Sequence, residues 1–272
     1  MVHYVEVVPT VATLNAFFKH YPEMKVTLVD NSGGRCRVAT EILPHLSEHK
    51  DKINVLVNPA KTHGWMDDLC HGAGIDLALA NTKKDFLVSI EADTFFLARG
   101  GLEYLAELAN EGFDWGGYGQ KPYQGKFGSF SPSFAFLRVE PIAKLGLSMR
   151  TRYRMPGEVY ANDIIMNHHL EVVQNLYHDQ PVDYLDAKPP DTYRLKRWEI
   201  IDKEKAHLSY FDTGEAAHYG LLAAGYKCHL FEPIESVRHV WNGRDKQTFL
   251  ENFAARLPNI AINEYLPDAL HT

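Results

Sequence analysis

The sequence predicts an α/β fold in which a mostly parallel central sheet is flanked by helices. Three observations lead to this prediction. Strand and helix patterns alternate through the first hundred residues, and the loops between them are short. Acidic residues also follow two of the predicted strands directly, at Asp30 and at Glu91–Asp93. Alternation with short connections is typical of right-handed βαβ units, whose strands run parallel.

The first half of the chain carries the clearest pattern. Runs of β-branched and aliphatic residues predict strands over 2–8, 25–29, 53–57 and 86–90. Apolar residues at helical spacing predict helices over 10–20, 37–48 and 66–79. Pro9 is expected to end the first strand, and residues 30–34 have the composition of a turn. Because parallel strands end at one edge of a sheet, Asp30 and Glu91–Asp93 are expected on the same rim.

The second half of the chain is less regular. Helices are predicted over 102–110, 142–147, 219–224 and 252–257, and strands over 134–139 and 227–231. Residues 114–133 are dense in Gly, Tyr, Phe and Pro, which predicts a loop that lines a site or packs on one. No repeat and no linker is apparent, so residues 1–272 are expected to form a single domain with two halves, 1–100 and 101–272.

Composition excludes several classes of function. The chain has 28 Lys and Arg against 35 Asp and Glu, a net charge of −7, which disfavours broad nucleic-acid binding. No apolar stretch approaches the ~18 residues that a membrane span needs. The first residues carry Glu6 in their apolar run and lack a basic segment, unlike a signal peptide. With three cysteines and no close-spaced pair, the sequence predicts a reduced, cytoplasmic protein.

The strongest chemical signal is the acidic pair after the fourth predicted strand. Glu91 and Asp93 are two residues apart and follow an apolar segment. Carboxylates at this spacing can direct two oxygens at one hard cation such as Mg2+ or Mn2+, which usually also binds substrate phosphate oxygens. The alternative is a solvated acidic turn. A strand-end position favours the metal site, because two adjacent acids repel unless a cation or a base neutralises them.

The order of these features resembles family 2 glycosyltransferases, which have the GT-A fold. The resemblance covers residues 2–97 well, and it implies a nucleotide-sugar donor bound by the first half and an acceptor-side second half. Glu91-Ala92-Asp93 matches the family's D-x-D motif, which binds the metal and donor diphosphate, with Glu in place of the first Asp. The resemblance implies that Mn2+ or Mg2+ is the cofactor. It also implies donor contacts from these residues: Pro9, Thr10, Asp30, Asp76, Glu91, Ala92 and Asp93.

Two of these donor contacts have simpler alternatives or depart from the family pattern. Asp30 can also serve only to organise the turn that follows it, since Asp, Asn, Ser and Gly are turn residues. Asp76 lies in the stretch 72–78, which resembles the family's helix before the motif. The family's usual Asn is replaced there by Gly72.

A second stretch, residues 208–243, follows the same family's order less closely. The resemblance implies that His239 completes the metal site and that an acid near Asp212 and Glu215 deprotonates the acceptor hydroxyl. Asp163 competes for this catalytic role. Capping of a helix N-terminus is the alternative for each of the three acids. Arg238 and Arg244 flank His239, and Arg pairs well with diphosphate oxygens; solvated positions are the alternative.

The sequence therefore predicts an inverting, metal-dependent glycosyltransferase that acts on an acceptor it does not identify: a glycan, a protein or a modified nucleobase. Aromatic residues of the second half are candidates for stacking on that acceptor, with packing as the alternative: Trp115, Tyr118, Tyr123, Phe127 and Phe130. Two other functions stay open. One is nucleotidyl transfer to sugar phosphates, which also joins strand-end acids to Mg2+. The other is a non-catalytic carbohydrate- or protein-binding module on the same fold.

Overall fold

The computed structural model describes the following ranges of the chain: 1–3, 7–33, 38–59, 71–120, 129–150, 152–153, 210–211, 213–240 and 246–270. Within them the protein is a mixed α/β structure. Five residues with predicted roles lie outside these ranges, namely Tyr123, Phe127, Asp163, Asp212 and Arg244.

The strands are numbered here in chain order. They are β1 Val2–His3, β2 Val26–Asp30, β3 Ile53–Val57, β4 Phe86–Ile90, β5 Thr94–Phe96, β6 Trp115–Gln120, β7 Ser129–Arg138, β8 Arg152–Tyr153, β9 Tyr210–Phe211, β10 Cys228–Phe231 and β11 Val237–His239. The α-helices are α1 Val7–His20, α2 His71–Asn81, α3 Gly101–Asn110, α4 Val139–Leu145, α5 Glu215–Ala223 and α6 Lys246–Arg256.

The first sheet agrees with the parallel prediction. Its strand order is β1-β2-β3, and both pairs are parallel. Strands β3 and β4 have the predicted bounds, and β2 is displaced by one residue. A single parallel bridge from Val2 to Glu91 connects this sheet to the end of β4.

The second sheet is mixed, so the prediction of a mostly parallel central sheet is wrong there. Its order is β10-β6-β7-β4, with β10 parallel to β6 and both other pairs antiparallel. The predicted loop over 114–133 contains β6 and the first half of β7. Glycines obscured the strand pattern, and packing explains one of them, because a Cβ on Gly116 would lie 2.8 Å from the His229 carbonyl oxygen. Since β6 and β7 are consecutive strands, they pair as antiparallel neighbours without a crossover.

Pro9 lies inside a helix, contrary to the prediction that it ends a strand. Helix α1 begins at Val7, so the predicted strand over 2–8 is wrong at its end, and β1 covers only Val2–His3. Proline fits the first turn of a helix because the N–H groups there have no intrahelical partner. Both Pro9 and Thr10 are buried in α1.

The predicted helix over 37–48 is a π-helix, Val38–Ile42, followed by a 3-10 helix, Leu43–Lys52. Pro44, near the start of the second segment, lacks the N–H that a continuous α-helix requires. Other helices differ from prediction at their ends: α5 begins at Glu215 and α6 at Lys246, each several residues earlier than expected. No helix within the described ranges is long and apolar enough to cross a membrane.

Two hydrophobic clusters hold the sheets and helices together. The larger one packs α1 against β5 and the centre of the second sheet, through edge-to-face contacts of Phe17 with Phe96 and of Phe96 with Phe134. The smaller one lies on the other side of that sheet around Trp115, Leu221 and other apolar residues. The end of β4 is therefore supported by a well-packed hydrophobic core.

Helix α2 approaches its neighbours too closely for a side chain at two glycines. A Cβ on Gly72 would lie 2.0 Å from the carbonyl oxygen of Met149, and one on Gly74 would lie 2.6 Å from a methyl carbon of Val2. Cβ atoms do not approach other atoms this closely, so the backbone would have to move to admit a side chain at Gly72. These glycines set the distances from α2 to Met149 and to β1.

We expect Gly72→Ala to lower the free energy of unfolding by about 1–3 kcal/mol, because the new methyl group meets rigid backbone. Gly220→Ala is the matched control, since its Cβ would meet only the flexible end of Leu147, at 2.6 Å. That variant also gains helix propensity of about 1 kcal/mol. Chemical denaturation of both variants checks the prediction, and equal effects would contradict it.

Candidate metal centre

Two neighbouring strands bring three potential metal ligands together. Glu91 follows β4 directly, Asp93 precedes β5, and His239 ends β11. Strand β11 pairs antiparallel with β5, which places His239 opposite Thr94. The backbone N–H of Val240 donates to the Asp93 carbonyl at 2.9 Å and continues this pairing past the strand end.

The ligand atoms of these three residues all lie within 4.8 Å of one another. The Nε2 atom of His239 is 3.1 Å from Glu91 Oε2 and 3.1 Å from Asp93 Oδ1. Asp93 is only 5% exposed, which does not fit the alternative of a solvated acidic turn. The structure thus brings together the three residues predicted as metal ligands.

Buried hydrogen bonds hold the turn between Glu91 and Asp93 in place. The hydroxyl of Thr13 in α1 donates to the Ala92 carbonyl at 2.7 Å. From the other side, the Ser133 carbonyl in β7 accepts from the Glu91 N–H at 3.0 Å and from the Thr94 hydroxyl at 2.8 Å. The acidic pair therefore sits on a rigid support, as a preorganised metal site requires.

Sequence reasoning missed His71, which contacts Glu91 of the acidic pair. Its Nδ1 atom lies 3.2 Å from Glu91 Oε1. His71 is the first residue of α2, and it stands twenty residues before Glu91 in the chain. The sequence carries no spacing signal for this contact, because it depends on how closely α2 packs against β4.

The pKa shifts reflect a strong attraction between the histidines and the acids. Burial alone lowers the pKa of His239, but hydrogen bonds and charges from Asp93 and Glu91 outweigh burial and raise that pKa to about 10. Burial alone raises the pKa of Glu91, but hydrogen bonds from His239 and His71 outweigh it and hold that pKa well below its usual range. In the absence of a metal, a protonated His239 therefore neutralises part of the acidic charge.

The donor set fits a divalent cation. Two carboxylates and one imidazole supply the oxygen and nitrogen ligands that Mn2+ accepts, whereas Mg2+ prefers oxygen alone. The low pKa of Glu91 keeps that carboxylate ionised and ready to bind. His239 would have to release its proton to act as a ligand.

The candidate metal centre opens onto a cleft of about 700 Å³. The side chains of Arg238 and Arg256 also line this cleft. Arg238 donates to the backbone carbonyls of Ile234 and Val237, and Arg256 donates to the His239 carbonyl at 3.1 Å. The cleft is lined by these residues: His71, Glu91, Tyr118, Gly119, Ser131, Pro132, Ser133, Thr213, Pro233, Arg238, His239 and Arg256.

Asp30 is buried at the end of β2, with 7% of its surface exposed. Its Oδ1 atom accepts from the backbone N–H of Ser32 at 3.0 Å and from the Ser32 hydroxyl at 2.5 Å. Its Oδ2 atom accepts from the N–H of Val38 at 3.4 Å. The carboxylate thus organises the turn after β2, and its predicted contact with the nucleotide-sugar donor stays a prediction.

Asp76 supports the loop after α4. Its Oδ1 atom accepts from the Met149 N–H at 2.8 Å, and its Oδ2 atom accepts from the Ser148 hydroxyl at 2.6 Å. Burial is the main cause of the raised pKa of Asp76, and the bonds from Ser148 and Met149 oppose it. Its predicted donor contact stays a prediction.

Glu215 is the first residue of α5 and is 1% exposed. Gly214, with φ of 75°, is the N-cap, so Glu215 is not the third helical residue of a capping box. Thr213, two residues earlier, lines the cleft.

Among the aromatic candidates, Trp115 is buried in the smaller hydrophobic cluster. Tyr118 lies in the cleft wall, and its hydroxyl donates to the Val237 carbonyl at 3.1 Å. Tyr123 and Phe127 lie outside the described residues.

The chain has remote similarity to solved structures. No family model matches the chain, and no curated protein matches it. A mannosyltransferase from Pyrobaculum calidifontis, solved in complex with GDP-Man and Mn2+, is 13% identical to it, with a TM-score of 0.42. The alignment covers 97% of this chain and 75% of that chain. A TM-score this low does not establish a shared fold, so membership of the GT-A family stays a prediction.

In protein stripped of divalent metal, we expect His239→Gln to lower the melting temperature by an amount that depends on pH. The raised pKa of His239 means that its stabilising effect is fully present below the ordinary histidine value of about 6.5. That effect is lost as the pH rises through about 10. Melting curves of both proteins from pH 6 to 10.5 check this, and a difference that stays constant with pH would contradict it.

Proposed function

We propose that this protein is a metal-dependent glycosyltransferase that uses a nucleotide-sugar donor. The observation that carries the proposal is the group of Glu91, Asp93 and His239 at a cleft that also holds two arginines. Acids beyond a strand end, beside a cleft with cationic side chains, suit a metal-bound diphosphate. The motif order that resembles family 2 glycosyltransferases supports the same function.

The three proposed metal ligands and the two arginines of the cleft each have a part in this proposal. Glu91, Asp93 and His239 hold the cation, which supplies positive charge where the departing nucleoside diphosphate gains negative charge. Arg238 and Arg256 lie in the same cleft and add fixed positive charge near the diphosphate. In the first half of the chain, Asp30, Pro9, Thr10 and Asp76 are the proposed nucleotide contacts.

The reaction also needs a base for the acceptor hydroxyl. In the proposed step, an acidic side chain takes the hydroxyl proton, the acceptor oxygen bonds to the anomeric carbon, and the bond from that carbon to the diphosphate breaks. One in-line displacement inverts the anomeric configuration. Glu215 is a candidate base because α5 begins beside a cleft residue. Asp212 and Asp163 are the other candidates, and the second half of the chain is the proposed acceptor side.

We expect a nucleoside diphosphate or nucleotide sugar to raise the melting temperature only when Mn2+ is present, because the cation that these residues would hold would add its affinity for phosphate oxygens. The panel contains uridine, guanosine, thymidine and adenosine diphosphates and their common sugar esters. In Asp93→Asn this shift is expected to disappear. Asp114→Asn is the matched control, since Asp114 is similarly buried at 7% exposure but pairs with Arg138 in the sheet.

The nucleotide sugar that raises the melting temperature is then incubated with the protein, and release of nucleoside diphosphate is measured. An enzyme is expected to release it even without the acceptor, because water can take the acceptor's place, whereas a binding module is not. Binding without release would favour the non-catalytic module. Release of pyrophosphate from a nucleoside triphosphate and a sugar phosphate would favour the nucleotidyltransferase. If no nucleotide changes the melting temperature of the well-folded protein, with or without Mn2+, the proposal is contradicted. Glu91, Asp93 and His239 would then be a structural group of ion pairs.

We expect Mn2+ to bind more tightly than Mg2+ in the wild type, because His239 supplies a nitrogen ligand. In His239→Ala the affinity for Mn2+ is expected to fall by at least ~10-fold, and the preference for Mn2+ to shrink. Titration of Mn2+ followed by electron paramagnetic resonance, with Mg2+ as competitor, measures both quantities. An unchanged preference in the variant would show that His239 is not a ligand.

A further inference from the structure

His71 contacts the Glu91 carboxylate through a different oxygen from the one beside His239. The two oxygens of the Glu91 carboxylate have different partners: Oε2 is 3.1 Å from His239, and Oε1 is 3.2 Å from His71. His71 is not one of the three residues whose ligand atoms cluster for a metal. It therefore contacts a proposed ligand from outside the metal centre.

The Nδ1 atom of the His71 ring makes the hydrogen bond to Glu91. The Nε2 atom is buried and has no hydrogen-bond partner within the described ranges. A carboxylate oxygen beside Nδ1 can only accept a hydrogen bond, so Nδ1 is the donor in this contact. The proton therefore sits on Nδ1 and is donated to Glu91 Oε1.

Close packing fixes His71 relative to Glu91. His71 begins α2, and the next residue, Gly72, lies so close to the Met149 carbonyl that no side chain fits between them. Two residues later, Gly74 packs in the same way against Val2, and Val2 forms the parallel bridge with Glu91. Val2 therefore lies between helix α2 and the end of β4 and contacts both. The His71 imidazole consequently has little freedom to move away from Glu91.

We infer that His71 is a positioning residue: it holds Glu91 Oε1 so that Oε2 points at the cation. This inference rests on the proposed metal site. A partner that donates to a ligating side chain fixes the orientation of that ligand, and loss of such a partner typically costs about 10–100-fold in metal affinity. The inference also explains why the two glycines of α2 occur where they do, because a wider spacing would break the contact.

The test is Mn2+ binding alone, without nucleotide, measured by electron paramagnetic resonance on four proteins. They are the wild type, His71→Ala, His71→Asn and a control, His45→Ala, which changes a histidine of the 3-10 helix that does not line the cleft. We expect His71→Ala to weaken Mn2+ binding by about 10–100-fold. In His71→Asn the amide N–H replaces the Nδ1 donor, so binding is expected to return to within a few-fold of wild type.

Three outcomes would overturn the inference, and they are distinguishable. If the wild type does not bind Mn2+, the proposed metal site fails and the role of His71 fails with it. If the wild type binds Mn2+ and His71→Ala binds equally well, the metal site stands and the positioning role is wrong. If Ala and Asn weaken binding equally, the hydrogen bond is not what matters, and His71 serves only to pack α2.

Discussion

Two carboxylates share one turn at the end of β4, and the arrangement around them follows from the repulsion between their charges. The Ser133 carbonyl of β7 accepts from the Glu91 N–H and the Thr13 hydroxyl of α1 donates to the Ala92 carbonyl, so the turn is fixed and the two acids cannot separate to relieve that repulsion. A positive group must therefore lie beside them. His239 supplies it, because the pairing of β11 with β5 brings the imidazole within 3.1 Å of both acids.

This arrangement links stability to function. Without metal, the protonated His239 is the counter-charge, which is why the pKa of His239 rises to about 10 although burial opposes protonation. A divalent cation would take over the same role with more charge and would bring its own affinity for phosphate oxygens. Groups with strongly shifted pKa values beside a cleft are frequent at functional sites. The cleft also contains arginines, which extends the positive potential beyond the acids.

Packing at α2 shows how distant parts of the chain support one another. Gly72 and Gly74 admit the carbonyl of Met149 and the side chain of Val2, and the resulting close approach brings His71 to Glu91. A sequence pattern does not indicate this close packing, since a glycine in a predicted helix indicates only a lower helix propensity. The same limit explains β6, where glycines that fit against the neighbouring strands resemble loop residues.

The sequence by itself determined the alternating elements of the first half, the bounds of β3 and β4, and the identity of the acidic pair, because these depend on local periodicity and on residue type. It also singled out His239, through the order of motifs rather than through any local signal. Only the tertiary structure decided the mixed direction of the second sheet, the helical setting of Pro9 and the contact from His71. Strand pairing and helix spacing arise from contacts between residues far apart in the chain, and a linear pattern does not encode those distances.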